Sequence, residues 1–284
     1  MNKDFRNISF RKWIKKTNKN TLIMGILNIT PDSFSDGGKY LNKKRALIHA
    51  TNLINSGADI IDIGGESSRP GALPITIDEE KNRVIPIISD LRKENPEILI
   101  SVDTCKSEVA KEAMEVGADI INDISGMKND IKMSDVIQEN KIPIVIMHMK
   151  GLPENMQKNI SYNNFLEDIL FFFKERLEYA KLHNIQENQI ILDPGIGFGK
   201  TLEQNFILLN NIDLFCALGY PILIGTSRKS FLGKTLGLDT DNILEGSIAS
   251  NLFATMKGAR ILRVHDVKEI KKSLTIFEKA MNSK

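Results

Sequence analysis

The chain has 284 residues, of which 42% are hydrophobic and 26% charged, with 38 basic residues against 36 acidic for a net charge of +2. These proportions exclude a collagen-like, disordered or disulfide-dense chain, and the charge balance argues against a dedicated nucleic-acid binder. With only two cysteines, Cys105 and Cys216, and four histidines, no ligand-spaced zinc cluster can be drawn.

Residues 1–20 are polar and basic and lack the apolar core of a secretory signal. No apolar run approaches the roughly 20 residues that span a bilayer. A cytoplasmic protein with a short N-terminal arm is expected. The arm either trails free or caps one end of the fold, and Phe10 and Trp13 favour packing.

From residue 21 onward, short Ile- and Val-rich runs recur at 22–27, 60–63, 98–102, 120–121, 143–147, 190–192, 222–224 and 261–264. Runs that are apolar on both faces suit buried parallel strands. Between them lie helical patterns at 43–55, 79–94, 107–116 and 163–183. In the last, Phe165, Ile169, Phe172, Phe173, Leu177 and Ala180 fall near a period of about 3.6 residues. Gly57-Ala58-Asp59, Gly117-Ala118-Asp119 and Gly258-Ala259-Arg260 each separate a helix pattern from a strand. Glycine readily ends a helix, so each marks a helix-to-strand junction. Eight strands alternating with helices predict an α/β protein, a (β/α)8 TIM barrel occupying residues 21–284 as a single domain. The competing open, doubly wound sheet usually has fewer strands.

Polar residues follow the strands in order: Asn28, Gly64-Gly65-Glu66, Asp103, Asn122-Asp123, His148, Asp193, Gly225-Thr226-Ser227-Arg228-Lys229, and Arg263 with His265-Asp266. A single Asp there is commonly a cap or turn residue. In a barrel, however, these strand ends converge on the face that carries active sites. Two loops, residues 30–38 and 64–72, are small and polar, with one large side chain each, Phe34 and Arg69. That composition suits mobile lids and also ordinary strand-to-helix loops. The segment Asp193-Pro194-Gly195-Ile196-Gly197-Phe198-Gly199-Lys200-Thr201 is not a P-loop, because Pro194 stands where glycine is required. It is not a dinucleotide fingerprint either, because Lys200 and Leu202 break the spacing. Its glycines are expected to let the backbone approach a flat ligand.

Asn28 with Thr30-Pro31-Asp32-Ser33-Phe34-Ser35-Asp36-Gly37, Gly64-Gly65-Glu66-Ser67-Ser68-Arg69-Pro70-Gly71, and the segment opened by Asp193-Pro194-Gly195 resemble the dihydropteroate synthase family. So do Ser101-Val102-Asp103-Thr104, Ile121-Asn122-Asp123, Ser227-Arg228-Lys229-Ser230 and Arg263-Val264-His265-Asp266. The likeness runs in order from about residue 21 to the C-terminus. Ser68 stands where the family often has Thr, and Ile196 where Phe is frequent. The resemblance implies a barrel enzyme of folate synthesis and a sulfonamide target. It implies joining of 6-hydroxymethyl-7,8-dihydropterin pyrophosphate to p-aminobenzoate, with Mg²⁺, by a homodimer.

Within that resemblance each residue has an expected part. Asp193 accepts from the pterin's amino and ring N–H donors, Asn122 complements its mixed edge and Lys229 donates to its acceptors. Arg263 stacks on the pterin and reaches phosphate. Asn28 and His265 approach the pyrophosphate, Asn28 through Mg²⁺, and Ser68 with Arg69 clamps the terminal phosphate. Asp103, ionised, stabilises the cation left when pyrophosphate departs, so the catalytic set is Asp103, Lys229, Arg263 and His265. Phe34, Pro70 and Phe198 wall the p-aminobenzoate ring, with its carboxylate near Lys229 and Ser230. Two rivals stay open: a methyltetrahydrofolate-dependent methyltransferase domain, which would not need Ser68 and Arg69, and an inactive pterin-binding barrel.

Overall fold

All eight apolar runs form parallel strands: β1 (Leu22–Asn28), β2 (Ile60–Gly64), β3 (Leu99–Asp103), β4 (Ile120–Asp123), β5 (Ile144–Met147), β6 (Ile190–Asp193), β7 (Leu223–Ile224) and β8 (Ile261–Val264). The computed structural model describes residues 3–16, 20–30 and 39–283. Its helices are α1 (Lys3–Lys15), α2 (Lys39–Asn55), α3 (Ile77–Glu94), α4 (Ser107–Glu115), α5 (Met133–Asn140), α6 (Phe165–Leu182), α7 (Leu202–Asn210), α8 (Ile212–Cys216), α9 (Ser230–Leu236), α10 (Leu244–Met256) and α11 (Val267–Asn282). Phe34 lies outside the described residues.

The strands pair in the order β6-β5-β4-β3-β2-β1-β8-β7. The two ends of this sheet meet through one parallel bridge, Leu192 to Ile222, with Leu192 N donating to Pro221 O at 3.0 Å. The chain is thus an α/β protein with eight parallel strands in a nearly closed TIM barrel, and its thinnest stave is the two-residue β7.

The Gly-Ala-Asp junctions explain how the units are joined. Gly57, Gly117 and Gly258 have φ of +100°, +119° and +111°, which side chains other than glycine's rarely adopt. The alanines that follow are buried. Asp59 then accepts from Ile23 N at 2.8 Å, and Asp119 from Ile100 N at 3.0 Å, so each aspartate ties its own strand to the start of the preceding one.

Alternation along the strands divides the barrel interior into layers, because residues two apart share a face. The lowest layer is apolar: Met24, Ile60, Ile120, Val145, Ile191, Leu223 and Ile261 form one cluster, with Leu99 packed against it. Phe10 and Ile14 of α1 belong to that cluster, so α1 closes the lower end. Arg6 fastens α1 to the wall, donating to Asp119 Oδ1 at 3.1 Å and to Pro96 O at 2.8 Å. Two residues further along the same strands stand Asp62, Ser101, Asn122, Asp193 and Arg263, and the interior turns polar.

Candidate functional site

Arg263 is the hub of the polar layer. Its Nε donates to Asp62 Oδ2 at 2.6 Å, and a terminal nitrogen donates to Asp103 Oδ2 at 2.8 Å. Asn122 Nδ2 donates to the same Asp62 oxygen at 3.1 Å. Four side chains from β2, β3, β4 and β8 therefore form one hydrogen-bonded group. Asp62 was not singled out by the sequence reading, yet it is fully buried and accepts from two of the expected residues, Asn122 and Arg263. Its Oδ1 has no hydrogen-bond partner among the described residues, as is true of the neighbouring Ser101 Oγ.

Asp193 closes the other side. Its Oδ1 accepts from Gly195 N at 2.7 Å, and burial pushes its carboxyl up to about 6, against the pull of that N–H and of Lys229. Lys229 places its ammonium 4.0 Å from the centre of the Phe198 ring. Burial, with Arg263 nearby, lowers it to about 8, opposed by Asp193 and Asp103. Asp103 is raised to about 7, by burial first and by the Asp62, Glu80 and Asp123 charges, although Arg263 pulls the other way. Burial thus opposes the ionised form expected of Asp103, while its bond to Arg263 favours it.

His265 is held neutral, pushed down to about 3 by burial and then by Arg263 and Arg228. Its Nδ1 lies 3.2 Å from Ser227 Oγ, and its backbone N donates to that same oxygen. Asn28 ends β1. A Cβ built on Gly64 would meet Asn28 Oδ1 at 3.5 Å and Asp103 Oδ2 at 3.7 Å, so both oxygens border the space that glycine leaves open. Ser68 is half-buried, whereas Arg69, Pro70 and Ser230 are exposed at the rim. The structure therefore brings together Asp103, Asn122, Arg263 and Asp62 through hydrogen bonds, and Lys229 with Phe198; Ser68, Arg69, Pro70 and Ser230 are not joined to this group by any hydrogen bond among the described residues.

Two glycines of the 193–201 segment face another loop. Gly195 has φ of +70°, and a Cβ there would sit 2.0 Å from His148 O; at Gly199 it would sit 2.3 Å from Lys150 O. These two let the loop pack against the loop after β5, whereas a Cβ on Gly197 would meet Lys229 Cδ at 3.2 Å, on the side of the polar layer. Buried Lys200 stitches the same two loops, donating to Phe198 O at 2.9 Å beside His148 Nδ1 at 3.1 Å. Burial brings the Lys200 amine down to about 7, and burial with the adjacent Lys200 keeps His148 neutral.

A family model for pterin binding enzymes matches residues 24–265. The dihydropteroate synthase of Bacillus subtilis is 48% identical over 262 residues, covering 92% of this chain and 89% of that protein. The Escherichia coli enzyme is 42% identical over 262 residues, covering 92% of each. The chain belongs to the dihydropteroate synthase family. Solved dihydropteroate synthases have the same fold. The Yersinia pestis enzyme in complex with a sulfonamide drug has a TM-score of 0.88 at 40% identity, covering 93% of this chain and 95% of that one. The Xanthomonas albilineans enzyme with 4-aminobenzoic acid has a TM-score of 0.88 at 37% identity, covering 93% and 94%. The latter enzyme in complex with 7,8-dihydropteroate has a TM-score of 0.85 at 35% identity, covering 93% and 95%. In this dihydropteroate synthase fold the polar layer lies toward the carboxyl ends of the strands, the end that carries active sites in such barrels.

Proposed function

We propose that the chain joins 6-hydroxymethyl-7,8-dihydropterin pyrophosphate to p-aminobenzoate, giving 7,8-dihydropteroate and pyrophosphate. It is a transferase of folate synthesis. The observation that carries the reading is the polar layer of Asp62, Asp103, Asn122, Asp193 and Arg263, built above an apolar floor in a chain of this family. The X. albilineans complexes with 4-aminobenzoic acid and with 7,8-dihydropteroate support the choice of substrate and product. The Y. pestis complex supports sulfonamides as competing ligands.

The pterin edge presents an amino group and a ring N–H beside a carbonyl. Asp193 accepts from the donors, Asn122 offers one donor and one acceptor, and Lys229 donates to the ring acceptors. Hydrogen bonds to charged groups contribute about 1.5–3 kcal/mol each, so a pterin lacking one of these groups is rejected. Arg263 lies along the pterin and reaches toward the pyrophosphate, where neutral His265 offers a ring N–H. Ser68 and Arg69 close over the terminal phosphate. Asn28 would hold Mg²⁺: its amide oxygen is a hard ligand beside the Gly64 gap, and magnesium commonly takes few protein oxygens alongside substrate phosphates. The ion supplies neutralisation of the phosphate charge.

The bond from the exocyclic methylene to oxygen breaks first, and the electron pair leaves with pyrophosphate. The remaining cation spreads into the pterin ring, and the Asp103 carboxylate stabilises it at short range. The arylamine nitrogen then forms the new C–N bond and loses its proton to solvent, so no strong base is required. Pro70 and Phe198 flank the arylamine ring, as Phe34 does in this reading, and its carboxylate lies near Lys229 and Ser230.

The two rim loops with Ser68, Arg69 and Asn28 favour this reading over a methyl transfer or an inactive barrel. Incubation with the pterin pyrophosphate, Mg²⁺ and p-aminobenzoate is expected to yield dihydropteroate and pyrophosphate in equal amounts. Pterin binding without either product would overturn it.

We also infer a homodimer. Exposed Phe206 and Ile207 of α7, Leu236 of α9 and Met256 of α10 lie on three helices that contact one another, and the Leu236 side chain reaches Gly246 of α10. An apolar face of this kind suits burial against a second copy. Both cysteines are free, in keeping with a cytoplasmic enzyme. Among the described residues, no helix is long and apolar enough to cross a membrane.

A further inference from the structure

Lys106 lies outside the pterin-edge group, at the residue that opens α4. Its ammonium donates to Glu66 Oε2 and to Glu80 Oε2, each at 2.5 Å. Glu66 belongs to the loop after β2, and Glu80 to α3. Glu80 is only 1% exposed and its second oxygen has no hydrogen-bond partner among the described residues, so the Lys106 cation is what balances a buried carboxylate.

Glu66 has a second task. The same Oε2 accepts from Ile75 N at 3.1 Å, which draws together the two ends of the loop that carries Ser68 and Arg69. Arg83 of α3 adds a bond to Gly65 O at 2.7 Å. Gly65 itself is packed so closely that a Cβ would lie 2.8 Å from Val84 Cγ1. The root of this loop is therefore fixed on α3 and on the connection from β3 to α4. Its tip carries exposed Arg69 and Pro70, and Gly71 N donates across to Pro153 O at 3.0 Å.

We propose that Lys106 is a positioning residue for recognition of the pyrophosphate. Through Glu66 it sets the direction from which Ser68 and Arg69 approach the phosphates, without touching them. The connection that bears Lys106 also bears Asp103, three residues earlier at the end of β3, so the reacting centre and the phosphate loop share one anchor. The inference rests on the reading that this loop takes the pyrophosphate.

The test compares two ligands that differ only in that group: the pterin pyrophosphate, followed by steady-state kinetics, and 6-hydroxymethyl-7,8-dihydropterin, followed by calorimetric binding. Lys106→Met is expected to raise the KM for the pterin pyrophosphate about tenfold, since small displacements of positioning groups are costly. The KM for p-aminobenzoate and the Kd for the unphosphorylated pterin are expected to stay within about twofold of wild type. Lys106→Arg is expected to restore most of the loss, because a guanidinium fork can still span both carboxylates. Should Lys106→Met fail to fold, Lys106→Met/Glu80→Gln removes the stranded buried charge and carries the same comparison. Equal weakening of both pterins, or a wild-type KM in a folded Lys106 variant, would overturn the proposal. Arg69→Met separates the two levels. If it leaves the KM for the pterin pyrophosphate unchanged, the reading of the loop fails and this inference with it. If it raises that KM while the Lys106 variants behave as wild type, this inference alone fails.

Discussion

Asp62 sits in a strand otherwise made of Ile60, Ile61, Ile63 and Gly64, and it is the residue on which Arg263 and Asn122 both converge. Breaking a buried ion pair from one side typically costs about 3–5 kcal/mol, so Asp62→Asn is expected to lower Tm as well as activity, measurable by calorimetry and turnover. The sequence did hold a signal for it: a lone carboxylate inside an apolar run is expensive unless paired. What hid it was the partner, 201 positions away in the chain. The residues at strand ends, such as Asp103, Asp193 and Arg263, were legible because a barrel brings those ends to one face. Their protonation states were not, since they depend on burial and on neighbours from other strands. Asp103, raised from the ordinary 3.8 to about 7, illustrates the consequence. If its carboxylate stabilises the cation, kcat rises as pH passes upward through about 7. Asp103→Asn is expected to remove that limb and to lower kcat about 10²–10³-fold at pH 8 with little change in KM. Stability runs the opposite way. The folded state holds this proton more tightly than the unfolded chain, so stability is greatest below pH 3.8 for this group and is lost as pH rises toward 7. The Tm of the Asn variant relative to wild type should therefore be more favourable at pH 8 than at pH 4, whatever the loss of the Arg263 pair costs at both, which a pair of thermal melts can check.

Helix α1 shows two aromatic residues outweighing the composition around them, since Phe10 and Trp13 pointed to packing. Its polar, basic sequence reads as an arm, and the few apolar residues in it, Phe10 and Ile14 among them, meet the ends of seven strands. Phe10→Ala is expected to cost about 3–5 kcal/mol, as aromatic truncations in packed sites do. The KM for the pterin pyrophosphate should not change, because the floor layer lies a full residue pair below the polar one. The loop after β6 makes the reverse point. Its glycines suggested room for a ligand, and Gly197 does face Lys229, but the nearest atom to a Cβ at Gly195 is the carbonyl oxygen of His148. Gly195→Ala must therefore shift backbone, and overpacking of this kind costs about 1–3 kcal/mol. A fall in denaturation midpoint, with Lys229 and Phe198 chemistry intact in what remains folded, is the expected result. Strands and helix junctions were readable because periodicity and glycine placement are local. Loop-against-loop packing is not local, and no spacing in the chain announces it.

At the scale of the molecule, the exposed apolar residues of α7, α9 and α10 predict self-association. Leu236→Glu is expected to shift the protein from dimer to monomer in sedimentation experiments, with the barrel still folded, because Leu236 is 49% exposed in the single chain. The near-zero net charge likewise says little about the interior, where Arg263, Lys229, Asp62, Asp103 and Asp193 are gathered in one layer. The plug formed by α1 has one more consequence. With Phe10 and Ile14 packed into the lowest layer, a ligand of the polar layer would have to come and go at the carboxyl ends of the strands, last in and first out. On the proposed placement, a pterin at the depth of Asp193 and Asn122 would enter before the arylamine settles above it, and would not leave while that neighbour stays. A sulfonamide parked at the rim would then act as a cork as well as a rival, lengthening the residence of whatever lies beneath it.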